Sequence, residues 1–196
     1  MPSQTRQRLI DAAKRRFYRD GFRNVGIDQI LTDVGISKTA FYKHFECKDD
    51  LMLAVLEGQS VWLQNTFRGM IRERGGDSAI GQLRAVFDVV ETIMGSNDFQ
   101  GCIFVNVAME FPLMHEPAHV AAAGNKQAIE AIICEIAGRA GASDPKVLAQ
   151  ELCLIMEGAY VTRQVTGNRQ TIDIARRVAE GAIARHVPLN GETLGA

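Results

Sequence analysis

Apolar residues along most of this chain recur every three or four positions, which is the spacing of one face of an α-helix. In the clearest case they occupy positions i, i+3, i+4 and i+7, namely Ile27, Ile30, Leu31 and Val34. Gly35 follows, and glycine ends a helix readily because it enters the left-handed conformation without steric cost. Ser37 then offers a hydroxyl that can cap a second helix from about Lys38. The stretch therefore predicts two short helices joined by a tight turn.

The same periodicity divides the rest of the chain into helical segments. Glycine, proline and small polar clusters separate the segments, and no strand-length alternation bounded by hairpin turns occurs. The predicted fold class is all-α, with about nine helices. They span approximately residues 3–20, 27–34, 38–45, 48–74, 77–95, 102–110, 118–137, 144–167 and 171–186.

The second short helix has one apolar face and one polar face. Phe41 and Phe45 lie four residues apart and are predicted to be core. Polar side chains occupy the rest of the surface, namely Lys38, Thr39, Tyr42, Lys43 and His44. In a helix-turn-helix, the second helix enters the major groove of DNA and the first crosses the backbone. Residues 25–50 are therefore a candidate DNA reader.

Several segments of this region resemble the DNA-binding signature of the TetR family of bacterial repressors. They are Gly21-Phe22, Ile27 to Ile30, Val34 to Lys38, Phe41 to Phe45 and Lys48 to Leu51. The resemblance implies a three-helix DNA-binding domain over residues 1–47 and a helical ligand-binding and dimerisation domain over residues 48–188. Residues 189–196 are small and polar, and we expect a disordered tail. Val25 stands where relatives often have Thr or Ser, so a hydroxyl–phosphate contact is not assigned to it.

Roles at the DNA end follow partly from chemistry and partly from the resemblance. Lys38, Thr39 and Lys43 are the groove-facing candidates, since Lys can donate to guanine and the Thr methyl can meet a thymine methyl. Tyr42 and His44 match family positions that typically hold the DNA backbone. A cation at the start of the next helix would meet a phosphate there. The predicted DNA-binding set is Ser37, Lys38, Thr39, Tyr42, Lys43, His44 and Lys48.

The charge distribution favours DNA only weakly. Residues 1–50 hold 10 Lys or Arg against 7 Asp or Glu, the remainder holds 12 against 16, and the net charge is −1. The N-terminal end is therefore the basic one, as a phosphate-facing surface requires. An unevenly charged solvated surface has the same composition.

Composition disfavours several other classes of protein. The chain has 196 residues, 46% of them apolar, but no apolar run of membrane-spanning length and no secretory core at its N-terminus. We expect a cytoplasmic, DNA-associated bacterial protein with no membrane partner. Widely spaced cysteines predict free thiols and no metal site, the positions being Cys47, Cys102, Cys134 and Cys153. No nucleophile or phosphate-binding motif is present, so we predict no enzyme, no catalytic residue and no cofactor.

The resemblance implies that the rest of the chain binds a small-molecule effector of unknown identity. The segment from Gly101 to Pro112 is similar to one shared by a subset of the family. Aromatic and thioether side chains can line an apolar cavity that receives a few polar groups, although at helical spacing such residues more often fill the core. The predicted lining is Trp62, Phe87, Met94, Cys102, Phe104, Asn106, Met109, Glu110, Phe111, His115 and Tyr160.

The last two predicted helices carry small residues at near-helical spacing, which permits close helix packing. The residues are Gly158, Ala159, Ala175, Ala179, Ala182 and Ile183. Two such helices from each of two chains would make a four-helix bundle, and packing inside one chain would use the same spacing. The resemblance favours a homodimer.

The predicted function is a transcriptional regulator of the repressor type. The homodimer binds a pseudo-palindromic double-stranded DNA operator and leaves it when a small-molecule effector binds. One alternative is a thiol-based sensor of oxidants or electrophiles acting through Cys102, which Gly101 places near a helix N-terminus. The residues favour the competing interpretation of Cys102 as a small buried hydrophobe, since the sequence reveals no cationic neighbour and no partner cysteine.

Two further alternatives belong to other classes of protein. An enzyme with an accessory DNA-binding domain lacks any supporting motif. An architectural protein that binds DNA regardless of sequence is disfavoured by the modest basic charge.

Overall fold

The computed structural model describes residues 4–188, which form nine α-helices and no strand. The helices are α1 (Gln4–Asp20), α2 (Ile27–Val34), α3 (Lys38–Phe41), α4 (Lys48–Gly75), α5 (Ala79–Met94), α6 (Ile103–Glu110), α7 (Pro117–Arg139), α8 (Pro145–Thr166) and α9 (Thr171–His186). The all-α prediction with about nine helices is confirmed. The predicted tail, residues 189–196, lies outside the described residues. Over residues 4–188, no helix is long and apolar enough to cross a membrane.

The predicted turn between α2 and α3 has the expected caps. Gly35 adopts φ 73° and donates its N–H to Leu31 O at 2.8 Å, which is the left-handed helix end that glycine favours. Ser37 Oγ accepts the N–H of Ala40 at 3.2 Å and so caps α3. The two short helices are therefore oriented by the residues that the sequence pattern singled out.

α3 is shorter than predicted, because its regular helix ends at Phe41 rather than Phe45. The N–H groups of His44 and Phe45 both donate to Phe41 O, at 2.8 and 3.1 Å. The first of these bonds spans three residues and tightens the turn, as is common where a helix ends. Phe41 and Phe45 still lie on one side, with ring centroids 5.8 Å apart.

By packing, the described chain divides into two compact units. Unit 1 contains residues 4–63 and 102–126, and unit 2 contains residues 64–101 and 127–188. Two of the boundaries fall inside α4 and α7, and the third lies between α5 and α6. The division after residue 47 that the resemblance implies is a functional one, and it stays a prediction.

Unit 1 has one apolar core to which α6 and the start of α7 contribute together with α1, α2 and α3. Phe17 and Phe22 stack within it at 5.0 Å between ring centroids. Its fully buried large side chains include Leu9, Phe17, Phe22, Ile30, Phe41, Leu51, Leu56 and Phe104. The prediction that Phe41 and Phe45 are core is confirmed, since they are 0% and 2% exposed.

In unit 2, α5, α8 and α9 pack against one another. The small residues of α8 and α9 take part in that packing, because Ala159, Ala175, Ala179 and Ala182 are all buried within the chain. Their spacing was compatible with packing between two chains or within one chain. In the structure, these small residues pack within a single chain. A different set of apolar side chains on these helices is exposed, namely Val147, Leu154, Val161, Val165, Ile174 and Val178.

Candidate nucleic-acid interface

α3 presents a polar face to solvent above a buried aromatic pair. The predicted groove-facing residues Lys38, Thr39 and Lys43 are exposed, and the phenol ring of Tyr42 is 57% exposed while contacting the edge of Phe41 at 5.3 Å. Because Phe41 is fully buried, the polar face has a rigid base. The predicted residues Ser37, Lys38, Thr39, Tyr42 and Lys43 therefore lie together on one accessible surface of unit 1, while His44 and Lys48 are half-buried.

Lys38 is tied to the start of α2. Its Nζ lies 2.9 Å from Asp28 Oδ1, and this hydrogen bond raises the pKa of Lys38 above its usual range, so the ammonium stays charged. Both side chains are largely exposed. An exposed pair of this kind contributes little to stability and exchanges readily for another anion. Lys38 can therefore turn to a phosphate or a base without large cost.

Lys48 is engaged inside unit 1 rather than pointing freely to solvent. Its Nζ donates to Arg23 O at 3.3 Å and lies 6.0 Å from the centre of the Phe17 ring. Partial burial lowers the pKa of Lys48, because desolvation disfavours the charged form. Lys48 thus ties the start of α4 to the turn between α1 and α2.

Arg16 holds α1 against α2 through a paired guanidinium–carboxylate contact. Its Nε and Nη2 donate to the two carboxylate oxygens of Asp33 at 2.6 and 2.7 Å. The bond from Arg16 holds the pKa of the Asp33 carboxyl below its usual range. Arg19 is likewise bonded to Asp20 at 2.7 Å. Arg16 therefore joins α1 to α2, whereas the pair of Arg19 and Asp20 lies within the last turn of α1.

Glu110, the last residue of α6, bonds the turn between α1 and α2 with both carboxylate oxygens. Oε1 accepts the N–H of Phe22 at 2.9 Å, and Oε2 accepts the N–H of Arg23 at 2.7 Å. Arg23 Nε returns a bond to Glu110 O at 2.7 Å, and its guanidinium lies 4.7 Å from the centre of the Phe111 ring. We call this set of contacts the α6 clasp. It joins α6 to the helix-turn-helix within unit 1.

Two family models match the chain. The model described as "Bacterial regulatory proteins, tetR family" matches residues 9–55, and the model described as "Tetracyclin repressor-like, C-terminal domain" matches residues 79–179, more than half of the chain. The chain belongs to the TetR family. It is a DNA-binding transcriptional regulator of the helix-turn-helix type.

Individual relatives of this TetR-family chain match over different lengths. The repressor DhaR of Mycobacterium sp. (strain GP1) is 25% identical over 86% of both chains. A helix-turn-helix regulator of Lactococcus lactis is 22% identical, and the match spans 57% of this chain and 57% of that protein. The crystal structure of SCO4454, a TetR-family regulator from Streptomyces coelicolor, superposes with a TM-score of 0.85 at 28% identity, covering 95% of this chain and 92% of that one.

Most of the residues predicted to line an effector cavity of this TetR-family regulator lie in unit 1, each with its own surroundings. Glu110 and Phe111 belong to the α6 clasp, and Phe104 is core. Trp62 is 54% exposed, with Lys14 Nζ 5.2 Å from its ring centre. Asn106 is half-buried, and the side chains of Met109 and His115 are exposed.

Three residues of the predicted lining lie in unit 2. Phe87 and Met94 are buried in its core, and the ring of Tyr160 packs 5.9 Å from that of Phe99. Phe87 also borders a cleft of about 370 Å³ between α5 and α9. An effector cavity lined by the full set stays a prediction.

Cys102 has a cationic neighbour that the sequence did not reveal. Lys126 Nζ lies 3.7 Å from its Sγ, and the thiol is half-buried at the residue preceding α6. The two residues are 24 positions apart, so no local motif connects them. Within residues 4–188, no group of three or more His, Cys, Asp or Glu side chains is placed to hold a metal ion.

The α6 clasp is the functional feature that sequence reasoning missed. Glu110 was assigned to a cavity, but its carboxylate bonds a turn 87 and 88 residues earlier in the chain. The only sequence signal at the turn was Gly21, which has φ 86° and whose Cβ, if present, would lie 3.3 Å from Glu110 Oε1. That signal predicts a helix end but not its partner.

The α6 clasp predicts a local effect of Glu110→Gln. The amide side chain keeps one acceptor oxygen and turns an N–H group toward a backbone donor, which removes a charge-assisted bond contributing roughly 1.5–3 kcal/mol. We expect hydrogen exchange at the Phe22 and Arg23 amides, followed by NMR, to accelerate about 10-fold or more. Met109→Gln, a change at the exposed neighbouring position, is the control. Unchanged exchange at both amides in Glu110→Gln would contradict the clasp.

Proposed function

We propose that this TetR-family regulator is a repressor that binds a pseudo-palindromic operator as a homodimer and leaves it when a small-molecule effector binds. The observation that carries the proposal is the polar face of α3, exposed on a rigid aromatic base. It belongs to a unit in which the α6 clasp holds the turn between α1 and α2. A reader held in this way can present side chains to a DNA groove, and its position depends on a helix outside the helix-turn-helix.

The reading chemistry is assigned to α3. Thr39 and Lys43 face the groove, where Lys donates to guanine acceptors and the Thr methyl meets thymine. Tyr42 and His44 hold the backbone, and Lys38 exchanges its bond to Asp28 for a contact with DNA. Ser37 acts mainly by capping α3, and Lys48 by fixing the turn that positions the reader.

Dimerisation is assigned to the exposed apolar face of α8 and α9. Val147, Leu154 and Val161 recur every seven residues along α8, and Leu154 is 76% exposed. Ile174 and Val178 lie one turn apart on α9 and are about half exposed. A stripe with this spacing is buried when two helices of one chain pack on two of another. A paired protein would present two readers to a symmetric operator.

Release follows if the effector moves α6. A ligand shifts an equilibrium only by its differential affinity for the two states. Since Glu110 bonds the turn between α1 and α2, a state with displaced α6 has a differently placed α3. The effector therefore favours the state whose paired readers no longer match the operator. The relative DhaR is described as a transcriptional repressor, which supports repression rather than activation for this protein.

A second candidate function is release by thiol oxidation at Cys102. The contact with Lys126 favours it, because the half-buried Cys102 thiol has a cationic side chain 3.7 Å from its sulfur. Peroxide converts a thiolate to a sulfenic acid, releasing water or hydroxide. Since Cys102 immediately precedes α6, the added oxygen would disturb the helix that carries the clasp.

Lys43→Ala tests the reading surface. Loss of one groove-facing donor is expected to weaken binding to the selected operator about 10-fold or more, since a good base contact contributes roughly 1–3 kcal/mol. Fluorescence anisotropy at fixed salt measures the affinity. Lys146→Ala removes the same charge at the start of α8 and is expected to bind like the parent. Equal affinities for all three proteins would show that Lys43 does not touch the operator.

Leu154→Glu tests the dimer surface. A buried carboxylate in an apolar interface without a partner carries a large desolvation cost, so the variant is expected to be monomeric at micromolar concentration. Size-exclusion chromatography with light scattering gives the mass. Met114→Glu places the same charge at an equally exposed position of unit 1 and should leave the mass at twice that of the chain. A parent protein that is already monomeric, or a dimeric Leu154→Glu, would refute this assignment.

Cys102→Ser tests the thiol alternative. If oxidation at this position releases DNA, peroxide should lower operator affinity of the parent several-fold and leave that of the variant unchanged. Cys47→Ser, at an exposed thiol, controls for oxidation elsewhere. Equal peroxide sensitivity of parent and Cys102→Ser would eliminate the thiol mechanism while leaving the effector mechanism open to its own test.

A further inference from the structure

Unit 2 contains a cleft whose lining differs from both the reader and the predicted cavity. It has a volume of about 430 Å³ and opens where the end of α4, the start of α5 and the end of α7 meet. Its floor is apolar, formed by the buried side chains of Ile71, Ile132 and Ile136. Charged side chains border this floor, namely Arg68, Arg72, Asp77, Glu135 and Arg139. The size is within the range of small-molecule sites.

Arg139 is held in place by a buried amide. Its Nη2 donates to Gln82 Oε1 at 2.8 Å, and Gln82 Nε2 donates to Gly76 O at 2.6 Å. Gln82 is only 6% exposed. A Cβ at Gly75 would lie 2.5 Å from Gln82 Cα, so the glycine allows the two backbones to approach and fixes the position of Gln82. Arg139 is therefore a preorganised donor.

The charges of the cleft leave a net positive character. Arg68 Nη1 bonds Glu135 Oε2 at 2.8 Å, which lowers the pKa of Glu135, so this pair is neutral as a whole. Gln82 orients Arg139 but is itself uncharged, and Arg72 forms no ion pair with any of residues 4–188. The remaining charged side chains are two arginines, Arg72 and Arg139, and one carboxylate, Asp77, so the net charge of the lining is +1. An anion of a single charge matches this lining, whereas a phosphate dianion would meet two carboxylates.

We propose that this cleft binds a small organic carboxylate, with its hydrocarbon body on the three isoleucines and its carboxylate on Arg139 and Arg72. Guanidinium groups donate to carboxylates through two parallel bonds, which gives the anion priority over a neutral amide of the same shape. The effector would then be a small organic carboxylate. This identification of the effector rests on the proposed repressor function, whereas binding of a carboxylate in the cleft does not.

The binding test uses the full chain with isoleucine methyl groups labelled for NMR. Butyrate, benzoate and 2-naphthoate are titrated beside their amides. At least one carboxylate is expected to shift the methyl signals of Ile71, Ile132 and Ile136 to saturation, with Ile30 and Ile103 of unit 1 unmoved. Its amide should bind at least 10-fold more weakly. No saturable shift with any carboxylate, or equal binding of acid and amide, would overturn the proposal.

Variants separate a binding role of the arginines from a structural one. Arg72→Met and Arg139→Met should each weaken carboxylate binding about 10-fold, since a charge-assisted bond is lost. Arg177→Met, at a surface arginine beside the cleft between α5 and α9, should bind like the parent. If Arg139→Met proves unfolded by circular dichroism, Arg72→Met decides the matter, because Arg72 makes no ion pair within residues 4–188. Unchanged binding in Arg72→Met would then refute the assignment.

Fluorescence anisotropy of the operator DNA, measured with the carboxylate bound, tests whether binding in the cleft also releases DNA. It thereby separates the proposed carboxylate site from the proposed repressor function. Methyl shifts together with release of DNA support both. Methyl shifts without release support the carboxylate site and refute its role as the effector site. In a third outcome, a different small molecule releases DNA, and no carboxylate shifts the methyl signals of Ile71, Ile132 and Ile136. That outcome refutes the carboxylate site and still supports the proposed repressor function.

Discussion

The backbone N–H groups of Phe22 and Arg23 lie in a turn that no helix satisfies, and Glu110 supplies the acceptor for both. The bond to Phe22 is partly buried. An unsatisfied backbone donor there carries a free-energy cost of roughly 1–3 kcal/mol, so the turn at Phe22 depends on α6 for its geometry. α2 begins directly after this turn, and a tight turn at Gly35 connects α2 to α3. The position of the polar face of α3 therefore depends on the end of α6. A helix more than 80 residues away in sequence thereby belongs to the same compact unit as the helix-turn-helix.

This constraint explains how the charged residues of unit 1 are distributed. Arg16 and Lys48 bind inside the unit, to Asp33 and to Arg23 O, and hold its frame. Lys38 has only an exposed bond to Asp28, which DNA can replace. The modest basic excess of the first 50 residues therefore overstates the charge available for phosphates. In the proposed complex with DNA, sequence choice therefore rests on a few side chains of α3 rather than on general electrostatic attraction.

Sequence reasoning found the features that local physics determines. The stripe of Ile27, Ile30 and Val34, the stop at Gly35 and the cap at Ser37 each act within a few residues, so their pattern predicted α2, the turn and the start of α3. The buried Phe41 and Phe45 followed from the same spacing. The end of α3 was predicted four residues too late, because two N–H groups share Phe41 O in a geometry that residue spacing does not encode.

The missed features all join residues that are distant in sequence. Neither the bond from Glu110 to the turn nor the contact between Lys126 and Cys102 has a local pattern. The small residues of α8 and α9 predicted close helix packing correctly but did not reveal which helices would meet. Burial decides that question, since Ala175 and Ala179 are covered inside the chain while Leu154 is exposed. The spacing of apolar residues reveals that a helix has an apolar face. The three-dimensional structure is needed to identify the helix that packs against that face.

In the proposed complex, two copies of α3 read a symmetric operator. Selection of bound DNA from a random pool, followed by sequencing and footprinting, tests it most directly. We expect enrichment of an inverted repeat whose two half-sites are both protected. Enrichment of a single unrepeated site, or binding without any sequence preference, would show that the protein does not bind a symmetric operator as a dimer.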